Sequence, residues 1–239
     1  MVQKVYVTYN DVHKLCRESA QRILDDFKPE LIIAIGGGGY IPARILRSFL
    51  KQPNGKNISI QAIGLSLYEN LGTGEPEETP GTEVVRLQWL DSFPDHSNPN
   101  HKTHTLSSEA INHLIGKNIL IVDGIYVLYQ LCYIREVANV GPNLEVDDTR
   151  TTLQYAVQEL EKDVAEQSRK LGRSEKTNFS IFVLHNKDKE KRGTLPDEIV
   201  SSRYLAARTT KDVWLCYPWE AVDIEEHDRL AAQQGENSL

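Results

Sequence analysis

Four consecutive glycines follow a short apolar segment and precede a helical one, and this junction limits the possible fold more than any other feature of the chain. The apolar segment, Leu31 to Ile35, is typical of a strand buried in a parallel sheet. The segment from Ile41 to Leu50 is typical of a helix, and Pro42 suits its first turn. The junction therefore predicts a strand, a tight turn and a helix, which is the repeating unit of α/β proteins.

The glycine turn is also a candidate anion-binding site. Residues without side chains let backbone N–H groups approach an anion closely, and the N-terminus of the following helix favours negative charge. The candidate residues are Gly36, Gly37, Gly38 and Gly39. The alternative is a tight turn that binds nothing. The pattern is neither a Walker loop, because no Gly-Lys-Ser/Thr follows, nor a clear dinucleotide-binding fingerprint.

The rest of the chain alternates strand-like and helix-like segments. The predicted strands are 58–66, 84–90, 118–123 and 180–185. One helix is predicted to be capped by Asn10 or Asp11 and to end at Pro29, and a long one to run from Thr151 to Gly172. Residues 69–83 are predicted to form a long loop. This alternation predicts a mostly parallel sheet that is flanked by helices on both faces.

Composition and charge exclude several classes of protein. The 239 residues carry a net charge of −7, which argues against a general nucleic-acid-binding protein because such proteins need a concentrated basic surface. The three cysteines are far apart and suggest neither a disulfide framework nor a zinc site, so a reducing compartment is expected. The N-terminus lacks the apolar core of a signal peptide, and no apolar stretch is long enough to span a membrane. We therefore expect a cytoplasmic protein.

Two further segments carry candidate binding residues. Residues 145–152, Glu-Val-Asp-Asp-Thr-Arg-Thr-Thr, place acids and hydroxyls directly before the long helix, which suits a carboxylate beside a phosphate cradle. The alternative is a solvated helix cap. Residues 211–220 contain two of the three tryptophans and could stack on a planar base. The alternative there is an ordinary buried aromatic cluster.

Several long runs of sequence resemble the type I purine phosphoribosyltransferases, in particular the fungal xanthine and hypoxanthine-guanine enzymes. These runs are YNDVHKLC, IPARILRSFLK, QAIGLSLYE, IFVLHNKDK and WLCYPWE, and the similarity extends over nearly the whole chain. The resemblance implies the type I phosphoribosyltransferase fold with a small hood built from terminal segments. It also implies Mg²⁺-dependent transfer of ribose 5-phosphate from phosphoribosyl pyrophosphate (PRPP) to a purine, and a homodimer.

The resemblance also implies a role for individual residues. Asp148 corresponds to the catalytic carboxylate that handles a purine proton, and Asp123 and Glu145 correspond to the acid pair that faces the ribose hydroxyls and the metal. Lys187 corresponds to the lysine that reaches the purine 6-oxo group, with Lys189 as a competitor. The implied PRPP-binding residues are Gly36, Gly37, Gly38, Gly39, Asp123, Glu145, Asp147, Thr149, Arg150, Thr151 and Thr152, and the implied base-binding residues are Lys187, Trp214 and Leu215. Arg150 stands where many relatives have glycine.

One departure from the family pattern is an insertion. The two acids are adjacent in the family, but here residues 124–144, a stretch of 21, separate Asp123 from Glu145. Removing this stretch restores the motif without a gap. Two interpretations fit: an intron retained in the gene model, or a genuine loop in a divergent or inactive protein.

The expected organisation is a single domain over 1–239, in which 186–239 contribute a base-binding hood. The expected function is transfer to a 6-oxopurine, with xanthine preferred and guanine or hypoxanthine as alternatives. A competing hypothesis is a catalytically impaired PRPP-binding or regulatory protein, because the insertion splits the motif. The sequence does not decide the preferred purine, since xanthine and guanine differ in the donor and acceptor needed at position 2.

Overall fold

A computed structural model describes residues 3–51, 55–68, 83–89, 108–123 and 150–234. Most of the loop predicted at 69–83 lies outside the described residues, as do the insertion at 124–144 and residues 145–149. Among the described residues, no helix has both the length and the apolar character needed to cross a membrane.

A mixed, mostly parallel sheet forms the centre of the protein. The described strands are β1 (Lys4–Tyr6), β2 (Leu31–Ile35), β3 (Ser59–Tyr68), β4 (Glu83–Gln88), β5 (Asn118–Asp123), β6 (Asn178–Lys187), β7 (Tyr204–Thr210) and β8 (Trp214–Cys216). The strand order of the central sheet is β4-β3-β2-β5-β6-β7. The pairs from β3 across to β7 are all parallel, and β4 alone runs antiparallel to its neighbour β3. A second sheet of two parallel strands, β1 and β8, joins the two ends of the chain.

Helices cover both faces of the central sheet, as the sequence predicts. The described helices are α1 (Tyr9–Asp26), α2 (Tyr40–Phe49), α3 (Ser108–Asn112), α4 (Thr151–Leu171), α5 (Asp197–Ser202) and α6 (Ile224–Gln234). The apolar residues of α1 and α2 pack with Ile32 and Ala34 of β2. Those of α3 and α4 pack with Ile33 and Ile35 on the opposite face. Alternate residues of one strand thus enter two separate cores, because side chains of a strand point to opposite faces.

Particular residues determine where α1 begins and where α4 ends. Thr8 caps α1, where neither Asn10 nor Asp11 does: its hydroxyl accepts from the Asp11 N–H at 3.1 Å, and the Asp11 carboxylate accepts from the Thr8 N–H at 3.0 Å. This reciprocal capping box explains why Asp11 lies inside the helix. Gly172 ends α4 in the left-handed conformation at φ 65°, as predicted.

The two-stranded sheet forms the small hood expected from terminal segments. The Trp214 N–H donates to the Gln3 carbonyl at 2.9 Å, which joins residues that are more than 200 positions apart. Helix α6 packs on β1, and its His227 Nε2 lies 2.9 Å from the Val7 carbonyl oxygen. The base-binding segment proposed from sequence is therefore held by the N-terminal strand.

Candidate functional site

The glycine turn and Asp123 lie at the carboxyl ends of two neighbouring strands. In the β2–β5 pairing, Ala34 lies opposite Val122, so the turn after Ile35 and the acid after Val122 emerge side by side. The Gly39 N–H donates to the Ile35 carbonyl at 2.9 Å and closes the turn. In open α/β sheets this edge is where ligands bind.

Gly39 is placed where a side chain does not fit. A Cβ added there would meet the carbonyl oxygen of Val122 on β5 and would lie 2.6 Å from the carbonyl oxygen of Ile35. Both are backbone atoms of the central sheet and cannot rotate away. Gly36 is confined in a different way, because its added Cβ would lie 2.8 Å from Cζ of the Tyr40 ring. The Tyr40 ring thus lies beside the first glycine of the turn.

The start of α4 is held by a loop that follows β6. Arg150 caps the helix in the left-handed conformation, at φ 59° and ψ 5°, and no acid lies in the first turn. The Cζ atom of Arg150 lies 4.7 Å from the centre of the Tyr204 ring. The Gln154 side chain accepts from the Thr194 N–H at 2.9 Å. The positive end of the helix dipole at Thr151 is therefore without a neighbouring acid in the first turn, which suits an anion.

Gly193 brings this loop against the helix start. A Cβ at Gly193 would lie 2.6 Å from the carbonyl carbon and oxygen of Arg150 and 2.9 Å from the Thr151 nitrogen. Nothing in the local sequence identifies this contact, since it is made between segments about 40 residues apart. The implied residues Glu145, Asp147, Asp148 and Thr149 lie outside the described residues.

Lys187 ends β6 and is almost buried, with 7% of its surface exposed. Its Nζ donates to Asp212 Oδ1 at 2.9 Å, while Lys189 Nζ lies 3.5 Å from Asp212 Oδ2. The hydrogen bond from Lys187 lowers the pKa of the Asp212 carboxyl below its ordinary value, with the nearby charge of Lys189 adding to the effect. Of the two competing lysines, Lys187 is the one buried at the sheet edge.

Trp214 and Leu215 begin β8, two residues beyond Asp212. Leu215 is buried in the core, and the Trp214 side chain is half-buried. The Tyr217 and Trp219 rings stack with centroids 4.5 Å apart and an interplanar angle of 14°. The Tyr217 hydroxyl lies 2.5 Å from Nδ1 of the buried His185. The second tryptophan therefore belongs to a structural aromatic cluster, as the alternative interpretation of this segment expects, whereas Trp214 remains the candidate for stacking.

Burial changes the titration of several groups around this cluster. Burial lowers the pKa of His185 to about 4, so its imidazole is neutral at physiological pH. Burial also raises the pKa of Tyr217 well above its ordinary value and that of Glu220 to about 7. The desolvated interior thus favours the neutral forms of these three side chains, which lie in and beside the segment that carries Trp214.

The described part of the site is thus a row of groups along one edge of the sheet. These groups lie at the carboxyl ends of three successive strands of the sheet: the glycine turn after β2, Asp123 at the end of β5 and Lys187 at the end of β6. The Lys187–Asp212 ion pair links this edge to the segment that carries Trp214. Among the described residues, no group of three or more His, Cys, Asp or Glu side chains is arranged to hold a metal.

The contrast between Gly39 and Gly36 gives a test of the turn. Gly39→Ala is expected to destabilise the protein by about 1–3 kcal/mol, because β2 and β5 must move apart to admit the methyl group. Gly36→Ala is the matched control: its closest contacts are with the outer end of the Tyr40 ring, which can rotate away. Urea denaturation of both variants measures the difference, and an equal cost for the two would contradict the packing described for Gly39.

Comparison with curated proteins finds relatives over almost the full length of the chain. It is 51% identical over 234 residues to the hypoxanthine-guanine phosphoribosyltransferase of Schizosaccharomyces pombe, which covers 98% of this chain and 97% of the relative. It is 52% identical over 236 residues to xanthine phosphoribosyltransferase 1 of Saccharomyces cerevisiae, with the same coverage of each. No family model matches the chain.

Solved structures agree with the fold. A hypothetical protein from Neisseria gonorrhoeae with bound ppGpp is 31% identical, with 98% of this chain and 99% of that chain covered and a TM-score of 0.64. The purine phosphoribosyltransferase of Pyrococcus horikoshii, at 21% identity and a TM-score of 0.50 over 93% of this chain and 97% of that one, shares the fold. The identity to the curated relatives, over nearly their full length, shows that the chain belongs to the purine phosphoribosyltransferases.

Proposed function

We propose that this enzyme transfers the 5-phosphoribosyl group of PRPP to a 6-oxopurine, giving the nucleoside 5′-monophosphate and pyrophosphate in purine salvage. Xanthine is the proposed preferred base, with guanine and hypoxanthine as further substrates. The observation that carries the proposal is identity of about one half, over nearly the whole chain, to relatives named for xanthine and for hypoxanthine-guanine. These relatives support an enzyme, and they do not support the competing hypothesis of an impaired PRPP-binding or regulatory protein.

The glycine turn is the proposed site of the pyrophosphate group. In the turn from Gly36 to Gly39, the Gly36 and Gly39 N–H groups donate to the Ile63 and Ile35 carbonyls. The N–H groups of Gly37 and Gly38 would donate to the leaving oxygens, on which negative charge grows as the bond to C1 breaks. The close packing of Gly39 on β5 supports this role, because it keeps the donors beside Asp123 without a side chain between them. Donors fixed before the reaction need no reorganisation during it.

A magnesium ion fits the donors at this edge. Mg²⁺ is usually held by one or two carboxylates together with substrate phosphates, so a cluster of three acids is not required. Asp123 supplies one carboxylate beside the glycine turn, and Glu145 is proposed as the second, in part through ribose hydroxyls or water. When bound, the metal would neutralise charge on the leaving pyrophosphate.

The start of α4 is the proposed cradle for the 5′-phosphate. Backbone N–H groups at Arg150, Thr151 and Thr152, and the threonine hydroxyls, would bind phosphate oxygens together with the backbone N–H groups of Asp147, Asp148 and Thr149. The contact of Gly193 with the Arg150 backbone supports a rigid cradle. Holding the sugar at both ends aligns C1 with the incoming base.

The base site is proposed to use three residues. The Lys187 ammonium would donate to the 6-oxo group, the Trp214 ring would stack on the purine, and the Leu215 backbone would contact the base edge. The hood to which 186–239 contribute would bind the base, within a single domain that spans 1–239. We also propose a homodimer in the cytoplasm. The free, buried Cys16, whose thiol pKa is raised by burial to about 12, is consistent with a reducing compartment.

The proposal is tested by measuring pyrophosphate release from PRPP with xanthine, guanine and hypoxanthine in turn. Release that requires a 6-oxopurine, and formation of the matching nucleoside monophosphate, are the expected results. Tight binding of PRPP without release would favour a regulatory protein, and the absence of both would reject the proposed function. The ratio of kcat/KM values among the three bases determines the preferred purine.

Asp148 is proposed to accept a proton from the purine as the C1–N bond forms. Asp148→Asn keeps the size of the side chain but removes the base, and it is expected to lose about 3–5 kcal/mol of transition-state stabilisation with little change in folding. Turnover and the unfolding midpoint in urea are both measured for the variant and for the unmodified chain. Near-full turnover would refute this role for Asp148.

The insertion is proposed to lower activity and stability, because it separates Asp123 from Glu145. A variant without residues 124–144 restores the uninterrupted motif and is expected to show higher turnover and a higher unfolding midpoint than the full chain. The same deletion combined with Asp148→Asn is the control, which shows that any gain arises at this site. Equal activity of the full and shortened chains would count against the proposal.

A further inference from the structure

Asp212, on the segment between β7 and β8, forms ion pairs with two lysines at the end of β6. Its Oδ1 accepts a hydrogen bond from Lys187 Nζ at 2.9 Å, and its Oδ2 lies 3.5 Å from Lys189 Nζ. No sequence motif identifies Asp212, because its partners lie more than 20 positions earlier in the chain. Asp212 is therefore not among the residues that the sequence predicts for the site.

Burial differs strongly across this ion pair. The Lys187 side chain is 9% exposed, whereas the Asp212 side chain is 56% exposed. A buried ammonium is unfavourable unless an opposite charge accompanies it. The hydrogen bond from Lys187 holds the pKa of Asp212 below its ordinary 3.8, so the carboxylate is ionised at neutral pH. Asp212 thus places a negative charge beside the buried Lys187 ammonium at the edge of the sheet.

The same contact fixes the direction of the lysine. The Lys187 backbone is set by the sheet, in which Lys187 lies opposite Thr210 and the next N–H, that of Asp188, donates to the Thr210 carbonyl at 2.7 Å. An ammonium carries three donors on one rotating group. A hydrogen bond from one of them to Asp212 Oδ1 determines where the remaining two point.

Asp212 also lies on the segment that leads into the hood. Val213 packs against the core, Leu215 is buried, and the Trp214 N–H donates to the Gln3 carbonyl. Asp212 is therefore separated from Trp214 only by Val213, which packs on the core, and the Trp214 backbone is itself held by the N-terminal strand. A carboxylate at this position couples the lysine at the base edge to the aromatic ring proposed for the base face.

We propose that Asp212 is a positioning residue that aims the Lys187 ammonium at position 6 of the purine and fixes it relative to Trp214. The inference rests on the proposed function, because it assigns to Asp212 the specificity of that same base site. A charged donor held at position 6 pairs with an oxo acceptor and opposes an amino donor. Asp212 thereby contributes to the discrimination of 6-oxopurines from 6-aminopurines.

The test uses three variants of the full chain. Asp212→Asn keeps the shape and removes the charge, Asp212→Glu keeps the charge, and Glu18→Gln is the matched control. Glu18 is an exposed carboxylate on α1 whose Oε2 forms a different ion pair, with Arg208 of β7 at 2.8 Å. For each variant, KM is measured separately for hypoxanthine and for PRPP, and kcat/KM for hypoxanthine is divided by the value for adenine.

Asp212→Asn is expected to raise the KM for hypoxanthine and to lower the hypoxanthine-to-adenine ratio by roughly tenfold, with the KM for PRPP unchanged. Asp212→Glu is expected to recover part of the ratio, and Glu18→Gln to leave all values as in the unmodified chain. KM values and ratios within one sample do not depend on the fraction of folded enzyme, so partial unfolding cannot imitate this result.

The outcomes separate two kinds of failure. If the unmodified chain converts hypoxanthine but Asp212→Asn keeps its KM and its ratio, the role of Asp212 is wrong and the proposed function stands. If the KM for PRPP rises as much as that for hypoxanthine, Asp212 supports the structure generally and the positioning role is wrong. If neither the unmodified chain nor the variant without residues 124–144 uses any purine, the proposed function fails, and the inference fails with it.

Discussion

The close approach of the glycine turn to β5 is the contact on which the geometry of the site depends. At Gly39 the backbone of the turn lies against the Val122 carbonyl, one residue before Asp123. Protein interiors are packed as densely as organic crystals, so a methyl group at this point would have to displace a strand. The spacing between the backbone donors and the acid is therefore set by sheet packing. It does not depend on a flexible side chain.

The start of α4, which is proposed to bind the 5′-phosphate, is held by a different kind of contact. Arg150 stands where the resemblance to the family implies glycine in many relatives, and it adopts the left-handed conformation at a cost of roughly 1–2 kcal/mol for a residue with a side chain. Its guanidinium lies over Tyr204, and such a cation–π contact contributes roughly 0.5–2 kcal/mol. The two effects are similar in size and opposite in sign. The departure from glycine is thus compatible with the helix start seen here.

Local signals in the sequence predict the central sheet apart from its edge strand β7, which was not predicted. The strand from Asn118 to Asp123 and the end of α4 at Gly172 are as predicted, because buried apolar runs and a terminal glycine act within a few residues. The cap of α1 was misplaced by a few residues, since Asp11 has the side chain of a cap but serves as the reciprocal partner of Thr8. The three-residue strand β8 was missed because its partner lies at the other end of the chain. Gly193 and Asp212 were missed for the same reason: contacts between distant segments leave no periodic pattern. The assignments at Glu145, Asp147, Asp148 and Thr149 remain predictions.

The pairing of β1 with β8 has a consequence for how the protein is made. Residues 4–6 leave the ribosome first, yet their strand partner at 214–216 is translated only after more than 200 further residues. Until then the N-terminal strand has an unpaired edge, and Trp214 cannot take its place. The strands of the central sheet all precede residue 211, so the segment proposed to bind the purine is completed after them. A chain that terminates before residue 214 would therefore contain the glycine turn and Asp123 but lack the segment proposed to select the base.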